Sequence, residues 1–248
     1  MLQGSTWGRW LFLGIFLGAW QVAAFVLQSD QLPGPIEVMQ SLWRHLVDGD
    51  LLSSVLVTLR RVVLAFALAM GFGVLIGFLM GRFPVVDTMF DGVLIMGLNI
   101  PALVVIILCY VWFGLVESAA VAAVAINKLP LVAVTVREGV RAVDRQLLQV
   151  GQVFRVPLSR RLRYIYLPQL YPYLMAAARS GLSLIWKIVL VVELLGRSDG
   201  VGFQLGTFFQ FFDITSILAY TLAFVFVIYT IESVLLRPLE SRLTRWRS

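Results

Sequence analysis

The stretch VTLRRVVLAFALAMGFGVLIGFLMG, residues 57–81, is a long apolar segment that repeats small residues at every fourth position. A membrane core of about 30 Å needs about 20 apolar residues in a helix, so this segment predicts a membrane span. Small residues on one helix face allow a second helix to pack closely in lipid. That second helix belongs either to the same subunit or to a second subunit. The small residues are Ala65, Ala69, Gly73, Gly77 and Gly81.

The composition of the rest of the chain is also that of a membrane protein. Hydrophobic residues make up 60% of the chain and charged residues 14%, with a mean hydropathy of +0.89, whereas soluble domains carry about 25% charged residues. We therefore predict an all-α integral membrane protein with six transmembrane helices. We expect the first span to be retained, because its apolar run exceeds a signal-peptide core and no small-residue cleavage site follows it. The predicted spans are residues 8–28, 57–81, 92–113, 117–137, 170–195 and 216–236.

The chain is predicted to form a single transmembrane domain over residues 1–248. Residues 1–56 would hold the first span and a helix lying at the outer interface, because Pro35 opens a stretch with apolar residues on one helix face. That helix either rests on the bilayer or forms a platform for an extracytoplasmic partner. Residues 57–236 would hold the core spans with a loop at 138–169, and residues 237–248 a cytoplasmic tail. The apolar residues of the outer helix are Ile36, Met39, Trp43, Leu46 and Val47.

Basic residues set the predicted orientation. Seven of the twenty lysines and arginines lie within residues 137–163, and such residues accumulate in cytoplasmic loops. Placing both termini in the cytoplasm gives thirteen basic residues inside and four outside, the latter being Arg44, Arg60, Arg61 and Arg197. The net charge of +6 therefore reflects membrane topology, and no nucleic-acid partner is expected.

Several classes of chemistry are excluded by the residues that the chain lacks. It has a single cysteine and a single histidine, which excludes an internal disulfide and a histidine-rich metal site. The two lysines, Lys128 and Lys187, do not stand in a P-loop, and the common zinc-protease and serine-hydrolase motifs are missing. We predict that the chain is not an enzyme and holds no metal or cofactor of its own.

Ionisable residues inside the predicted spans need an explanation, because each costs at least ~2.5 kcal/mol at mid-membrane. Two explanations remain open for the central ones. An interhelical ion pair, such as Lys128 with Glu193, would neutralise them. Alternatively, they face a translocation path and attract anions. Arg179 and Glu232 lie nearer the inner leaflet and are expected to reach towards the interface. The candidate path residues are Asn99, Lys128, Lys187 and Glu193.

The basic loop contains a short amphipathic segment. Residues 146–154 place Leu147, Val150, Gly151 and Phe154 on one side of a helix. A helix of this length is unstable alone and is typically held in the groove of a partner. Arg160, Arg161 and Arg163 follow, and these basic residues can contact anionic lipid headgroups.

From Val143 to Gly202 the chain resembles the permease subunit of binding-protein-dependent ABC importers. It is most similar to the branch that handles sulfonates, taurine, nitrate and bicarbonate. That family carries a loop motif of E-A-A, three residues, G, nine residues and I-x-L-P. When Ile165 and Leu167-Pro168 are aligned with its end, residues 149–151 take the E-A-A positions and Arg155 takes the glycine. Four signature residues thus differ. Weaker matches are Leu32-Pro33-Gly34-Pro35, Ile100-Pro101, Trp112-Phe113-Gly114, and Arg179 with Trp186 and Glu193.

The resemblance implies a type I importer permease in the bacterial inner membrane, with the loop forming a coupling helix. It implies a second permease copy, as a homodimer, and two copies of a separate ATPase that binds ATP and Mg²⁺. A periplasmic or lipid-anchored solute-binding protein would deliver the solute, and membrane lipid would surround the chain. The residues expected to dock on the ATPase are Leu147, Gln149, Val150, Gly151, Phe154, Arg155 and Leu158.

The sequence leaves the solute open. Lys128 and Lys187 favour a small organic or inorganic anion, whereas similar permeases handle thiamine precursors or riboflavin-like solutes. A self-contained secondary transporter or channel is a rival function in which Lys128, Lys187 and Glu193 would form a relay. A purely structural membrane scaffold is the third alternative.

Overall fold

A computed structural model describes residues 6–27, 29, 31–236 and 238, and contains no β-strand in that part of the chain. Two π-helical turns, Leu162–Tyr166 and Glu232–Leu236, continue the eighth and eleventh α-helices. Apart from Pro238, the predicted tail at 237–248 lies outside the described residues. The helices are α1 (Thr6–Leu27), α2 (Pro35–Val47), α3 (Leu51–Arg82), α4 (Pro84–Asn99), α5 (Ala102–Phe113), α6 (Glu117–Arg141), α7 (Arg145–Val153), α8 (Leu158–Arg161), α9 (Leu167–Gly196), α10 (Val201–Gln210) and α11 (Ile214–Ile231).

Five helical segments in the described chain are long and apolar enough to cross a membrane. The number becomes six if the bent pair of α4 and α5 counts as one further span. The span predicted over residues 92–113 falls on two helices, α4 and α5, which meet at 101°. Pro101 has no backbone N–H and disfavours the α conformation of the residue before it. Ile100 is accordingly extended, with φ −70° and ψ 124°.

The stripe of small residues on α3 packs against α6 of the same chain. A methyl group added to Gly73 would lie 2.6 Å from Val132 Cβ, and one on Gly81 would lie 2.5 Å from Val140 Cβ. The small residues on α3 therefore allow the backbones of α3 and α6 to approach closely. This finding confirms the alternative in which the stripe serves packing within one subunit.

The central helix of the bundle is α6, the most buried of the candidate spans. It also packs on α9, and Val132 and Val136 form an apolar cluster with Leu170 and Ala177 of α9. Gly139 allows Tyr173 of α9 to lie against the α6 backbone. Because α6 packs against both α3 and α9, these three helices form the core of the bundle.

The bundle has two ends, which we name by a helix that lies at each. At the α7 end, Arg137 and Arg141 of α6 both pair with Asp87 near the start of α4. At the α2 end, His45 of α2 shares a hydrogen bond of 2.9 Å with Ser216 of α11. The predicted helix after Pro35 is confirmed as α2. Its side chains Ile36, Met39, Trp43, Leu46 and Val47 are exposed.

Candidate functional site

An open-sided cavity of about 790 Å³ lies between α9, α10 and α11. Its lining is mostly apolar and includes Trp186 of α9, Leu205 of α10 and Phe224 of α11. Among the residues that the structure describes, three charged side chains line it, namely Arg179, Lys187 and Glu232. Apolar walls with a few convergent polar groups are typical of sites for small solutes. We therefore take this cavity as the candidate translocation site.

Lys187 is the charged residue nearest the α2 end of this cavity. It lies nine residues before the end of α9, which corresponds to about 14 Å along the helix axis. Its side chain is exposed, and within the described chain it forms no ion pair or hydrogen bond. An uncompensated cation inside a span is costly unless it faces water or a ligand. Lys187 therefore provides a positive charge to which an anion in the cavity can bind.

Glu193 has a different environment, because it is fully buried between α3, α9 and the turn before α10. Its Oε1 accepts a hydrogen bond of 2.8 Å from Nη1 of Arg61. Its Oε2 accepts from Thr58 Oγ1 at 2.9 Å and from the Gly202 backbone N–H at 2.8 Å. The hypothesis of an ion pair between Lys128 and Glu193 is therefore wrong, since Arg61 is the partner of Glu193.

Arg61 also joins Glu193 to two further carboxylates. Its Nη2 donates to Glu117 of α6 at 2.8 Å and also to Asp199. Arg60 and Arg197 both contact Glu117 as well. We call these six side chains the charge cluster. Its three positive and three negative charges are equal in number, and the pair at its centre, Arg61 and Glu193, is the part that is buried. The members are Arg60, Arg61, Glu117, Glu193, Arg197 and Asp199.

The charge cluster fixes the turn between α9 and α10. Gly200 adopts φ +101°, a conformation that residues with a side chain rarely take. The next backbone N–H, that of Val201, donates to Thr58 Oγ1 at 2.9 Å. These contacts anchor the first turn of α10 to α3 and α9, so Val201 and Leu205 are held in the cavity wall.

Of the four predicted path residues, Lys187 is the one that the structure places on this cavity. Lys128 lies on α6, its side chain is buried, and it has no ion pair in the described chain. Asn99 ends α4 at the bend, where its Nδ2 donates to the Ile95 carbonyl at 2.7 Å. Neither residue lines the space between α9 and α11.

At the other end of the bundle, α7 is a short helix that begins at a side-chain cap. Asp144 accepts from the backbone N–H of Gln146 at 2.7 Å and of Leu147 at 3.3 Å, which satisfies two N–H groups of the first turn. Gly151 is buried, and Arg161 and Ile165 pack against it. Gly151 thus contributes close packing on its own chain. Leu147, Gln149, Val150, Phe154 and Leu158 are exposed.

Arg155 follows α7 with a left-handed backbone, φ +54°. Its N–H bonds the Gln152 carbonyl at 2.9 Å, and the N–H of Val156 bonds the Gly151 carbonyl at 2.9 Å. This pair of bonds is the Schellman motif, in which glycine usually holds the left-handed position. The aligned loop motif has glycine at this position, whereas this chain has Arg155 in the left-handed conformation that glycine usually adopts.

Arg61 is the important residue that the sequence analysis missed. It was assigned to the outer loop with Arg60, although both lie within residues 57–81. The signal was present, because an arginine inside an apolar helix needs carboxylate partners. Arg179 and Glu232 were expected to reach towards the interface, and their pairing at 3.6 Å on the cavity was not predicted.

A family model for the binding-protein-dependent transport system inner membrane component matches residues 69–243. This match spans more than half of the chain. The chain belongs to this family. The permease is also similar over most of its length to curated members. It is 27% identical over 245 residues to a Bacillus subtilis permease named for aliphatic sulfonate transport, covering 98% of this chain and 88% of the relative.

Two further relatives and one solved structure agree with this assignment. The taurine transport system permease protein TauC of Escherichia coli is 27% identical, with 92% of this permease and 84% of TauC covered. The nitrate import permease protein NrtB of Synechococcus elongatus is 24% identical, with 77% and 72% covered. The crystal structure of an amino acid ABC transporter with histidines has a TM-score of 0.60 and 24% identity, covering 77% of this chain and 93% of that one. This likeness confirms the type I importer permease fold.

Family membership decides between the predicted classes of function. The permease is a multi-pass membrane subunit of a transport system that depends on a binding protein. The alternatives of a self-contained secondary transporter or channel and of a structural scaffold are therefore wrong. The family assignment confirms the resemblance noted in the loop motif, even though that motif departs from the family pattern at Gln149 and Arg155.

Proposed function

We propose that this permease carries a small anion through the cavity between α9, α10 and α11, with Lys187 as the first binding group. The single observation that carries the proposal is an exposed lysine without an ion-pair partner in the described chain, on a cavity wall that is mostly apolar. Relatives named for aliphatic sulfonates, taurine and nitrate support it, because each of those solutes carries a charged oxyanion group. A thiamine-precursor or riboflavin-like solute would not require the cation.

The cavity is open on one side, so one chain alone does not enclose a path. We infer that a second copy of the permease closes it, in a homodimer served by two ATPase subunits and by a solute-binding protein. ATP and Mg²⁺ would be bound by the ATPase subunits, and this chain would hold no cofactor. The proposed location is the bacterial inner membrane with both termini in the cytoplasm, as the distribution of basic residues favours.

The proposed site of ATPase docking is the surface around α7. Leu147, Val150 and Phe154 are respectively 50%, 51% and 77% exposed, which is unusual for apolar residues on a polar loop. A groove on the ATPase would cover them and transmit its movement to α6 and α9, the helices that flank the loop. Gln149, Arg155 and Leu158 border the same surface.

The proposed function is tested by ATP-dependent uptake in proteoliposomes. The permease is reconstituted with its ATPase and binding protein, and labelled taurine, ethanesulfonate and nitrate are offered in turn. We expect ATP-dependent uptake of at least one of them, a strong reduction in Lys187→Gln, and near-normal uptake in the charge-preserving control Lys187→Arg. Uptake without nucleotide, or equal uptake by Lys187→Gln and the unmodified protein, would overturn the proposal.

A further inference from the structure

The cavity that holds Lys187 contains an ion pair closer to the α7 end. Nη2 of Arg179 on α9 lies 3.6 Å from Oε1 of Glu232, which follows α11. Both side chains line the cavity, and they are 47% and 39% exposed. A molecule inside the cavity can therefore reach both charged groups.

The position of this pair places it after Lys187 on a path running from the α2 end to the α7 end. Arg179 precedes Lys187 by eight residues on α9, which is about 12 Å along the helix axis. Glu232 is the first residue of the π-helical turn Glu232–Leu236. Such turns interrupt a regular helix and are frequent at functional sites. An anion released by Lys187 would next meet Arg179.

The contact between Arg179 and Glu232 is long for an ion pair. Charge-assisted hydrogen bonds between nitrogen and oxygen are typically about 2.7–2.9 Å long, so the 3.6 Å separation is not a tight contact. Partly exposed pairs contribute little net stability. A guanidinium also presents several N–H donors to an oxyanion. A solute with two or more acceptor oxygens can thus compete with Glu232 for Arg179.

We propose that Arg179 and Glu232 form a relay in which the transported oxyanion displaces Glu232 from Arg179 and Glu232 then displaces the oxyanion. Arg179 supplies the second binding group along the path, and Glu232 prevents the anion from remaining there. This inference rests on the proposed function, since it requires the solute to be an anion. In this relay the two residues of one ion pair have opposite effects on anion affinity: Arg179 raises it and Glu232 lowers it.

The experiment combines equilibrium binding of the anion to the purified importer with maximal ATP-dependent uptake. The probes are again taurine, ethanesulfonate and nitrate. In Glu232→Gln we expect binding to tighten by about fivefold or more, a change within the usual range of coupling between sites, while maximal uptake falls because release slows. In Arg179→Gln we expect binding to weaken by a similar factor. Arg179→Lys keeps the charge and is the matched control.

Opposite changes in affinity in the two glutamine variants support the relay, and any other combination overturns it. If the ion pair had only a structural role, each of the two variants would show weaker anion binding and less stable folding. If a glutamine variant does not accumulate in the membrane, Glu232→Asp shortens the acid by one methylene and is expected to tighten binding in the same direction. If the unmodified importer binds none of the three solutes, the proposed function itself is overturned.

Discussion

Arg61 of α3 donates a hydrogen bond of 2.8 Å from Nη1 to Oε1 of Glu193 on α9, and both side chains are almost completely buried. The same guanidinium holds Glu117 of α6. One side chain therefore joins the α2 ends of three spans. The pair also positions the turn that begins α10, because Glu193 accepts from the Gly202 N–H.

Arg61→Met is expected to destabilise the permease by about 3–5 kcal/mol, because it leaves the buried carboxylate of Glu193 without its counter-charge. Unfolding of the purified protein in detergent measures the change. The matched control is Arg60→Met, one position away on α3, where the side chain is 60% exposed and the expected loss is at most about 1 kcal/mol. If both variants lose the same free energy of unfolding, the buried Arg61 contributes no more to stability than the exposed Arg60.

Gly77→Ala is expected to destabilise the bundle by about 1–3 kcal/mol, as overpacking does. The added methyl group would lie 2.9 Å from Val136 Cβ and would press on the Ala133 backbone of α6. Gly71→Ala on the same helix is the control, because nothing lies within 4 Å of the added carbon. We expect Gly71→Ala to be neutral or stabilising, since alanine favours a helix over glycine. The same unfolding measurement compares the two, and a greater loss in Gly71→Ala would contradict the close α3–α6 packing.

Arg155→Gly is expected to stabilise the α7 loop by about 1 kcal/mol, because a left-handed backbone is unfavourable for a residue with a side chain. Amide hydrogen exchange over residues 145–156 reports local stability, and slower exchange is expected. Arg155→Val, a β-branched residue at the same φ of +54°, should have the opposite effect. If Arg155→Gly loosens the loop, the arginine side chain must hold it by a contact that outweighs the strain.

Leu147→Glu or Phe154→Glu is expected to abolish co-purification of the ATPase, because each places a charge in the apolar surface proposed to enter its groove. The permease itself should still reach the membrane, since both residues are exposed. Gln152→Glu adds the same charge to an exposed position on another side of α7 and is the matched control. Undiminished ATPase recovery with Leu147→Glu and Phe154→Glu would remove the docking assignment.

Local patterns in the sequence were sufficient to predict much of this fold. The apolar runs identified the spans, the four-residue repeat identified the packing face of α3, and Pro35 marked the start of α2. These features depend on residues close in sequence, so periodicity and length reveal them. The bend at Ile100–Pro101 was missed because the apolar run continues through it, although proline was its visible cause.

The sequence by itself determined that this chain is a multi-span helical membrane protein, because hydropathy and the repeat of small residues are properties of each segment alone. Only the tertiary structure decided the partners of the charges. Glu193 and Arg61 are separated by 132 positions in the chain, and two distant spans, α3 and α9, must pack together before the two meet. The same packing places Lys187, Arg179 and Glu232 in the wall of one cavity, and it buries the side chain of Lys128 on α6. Burial and pairing of a charge depend on which helices become neighbours, and that is a property of the packed bundle.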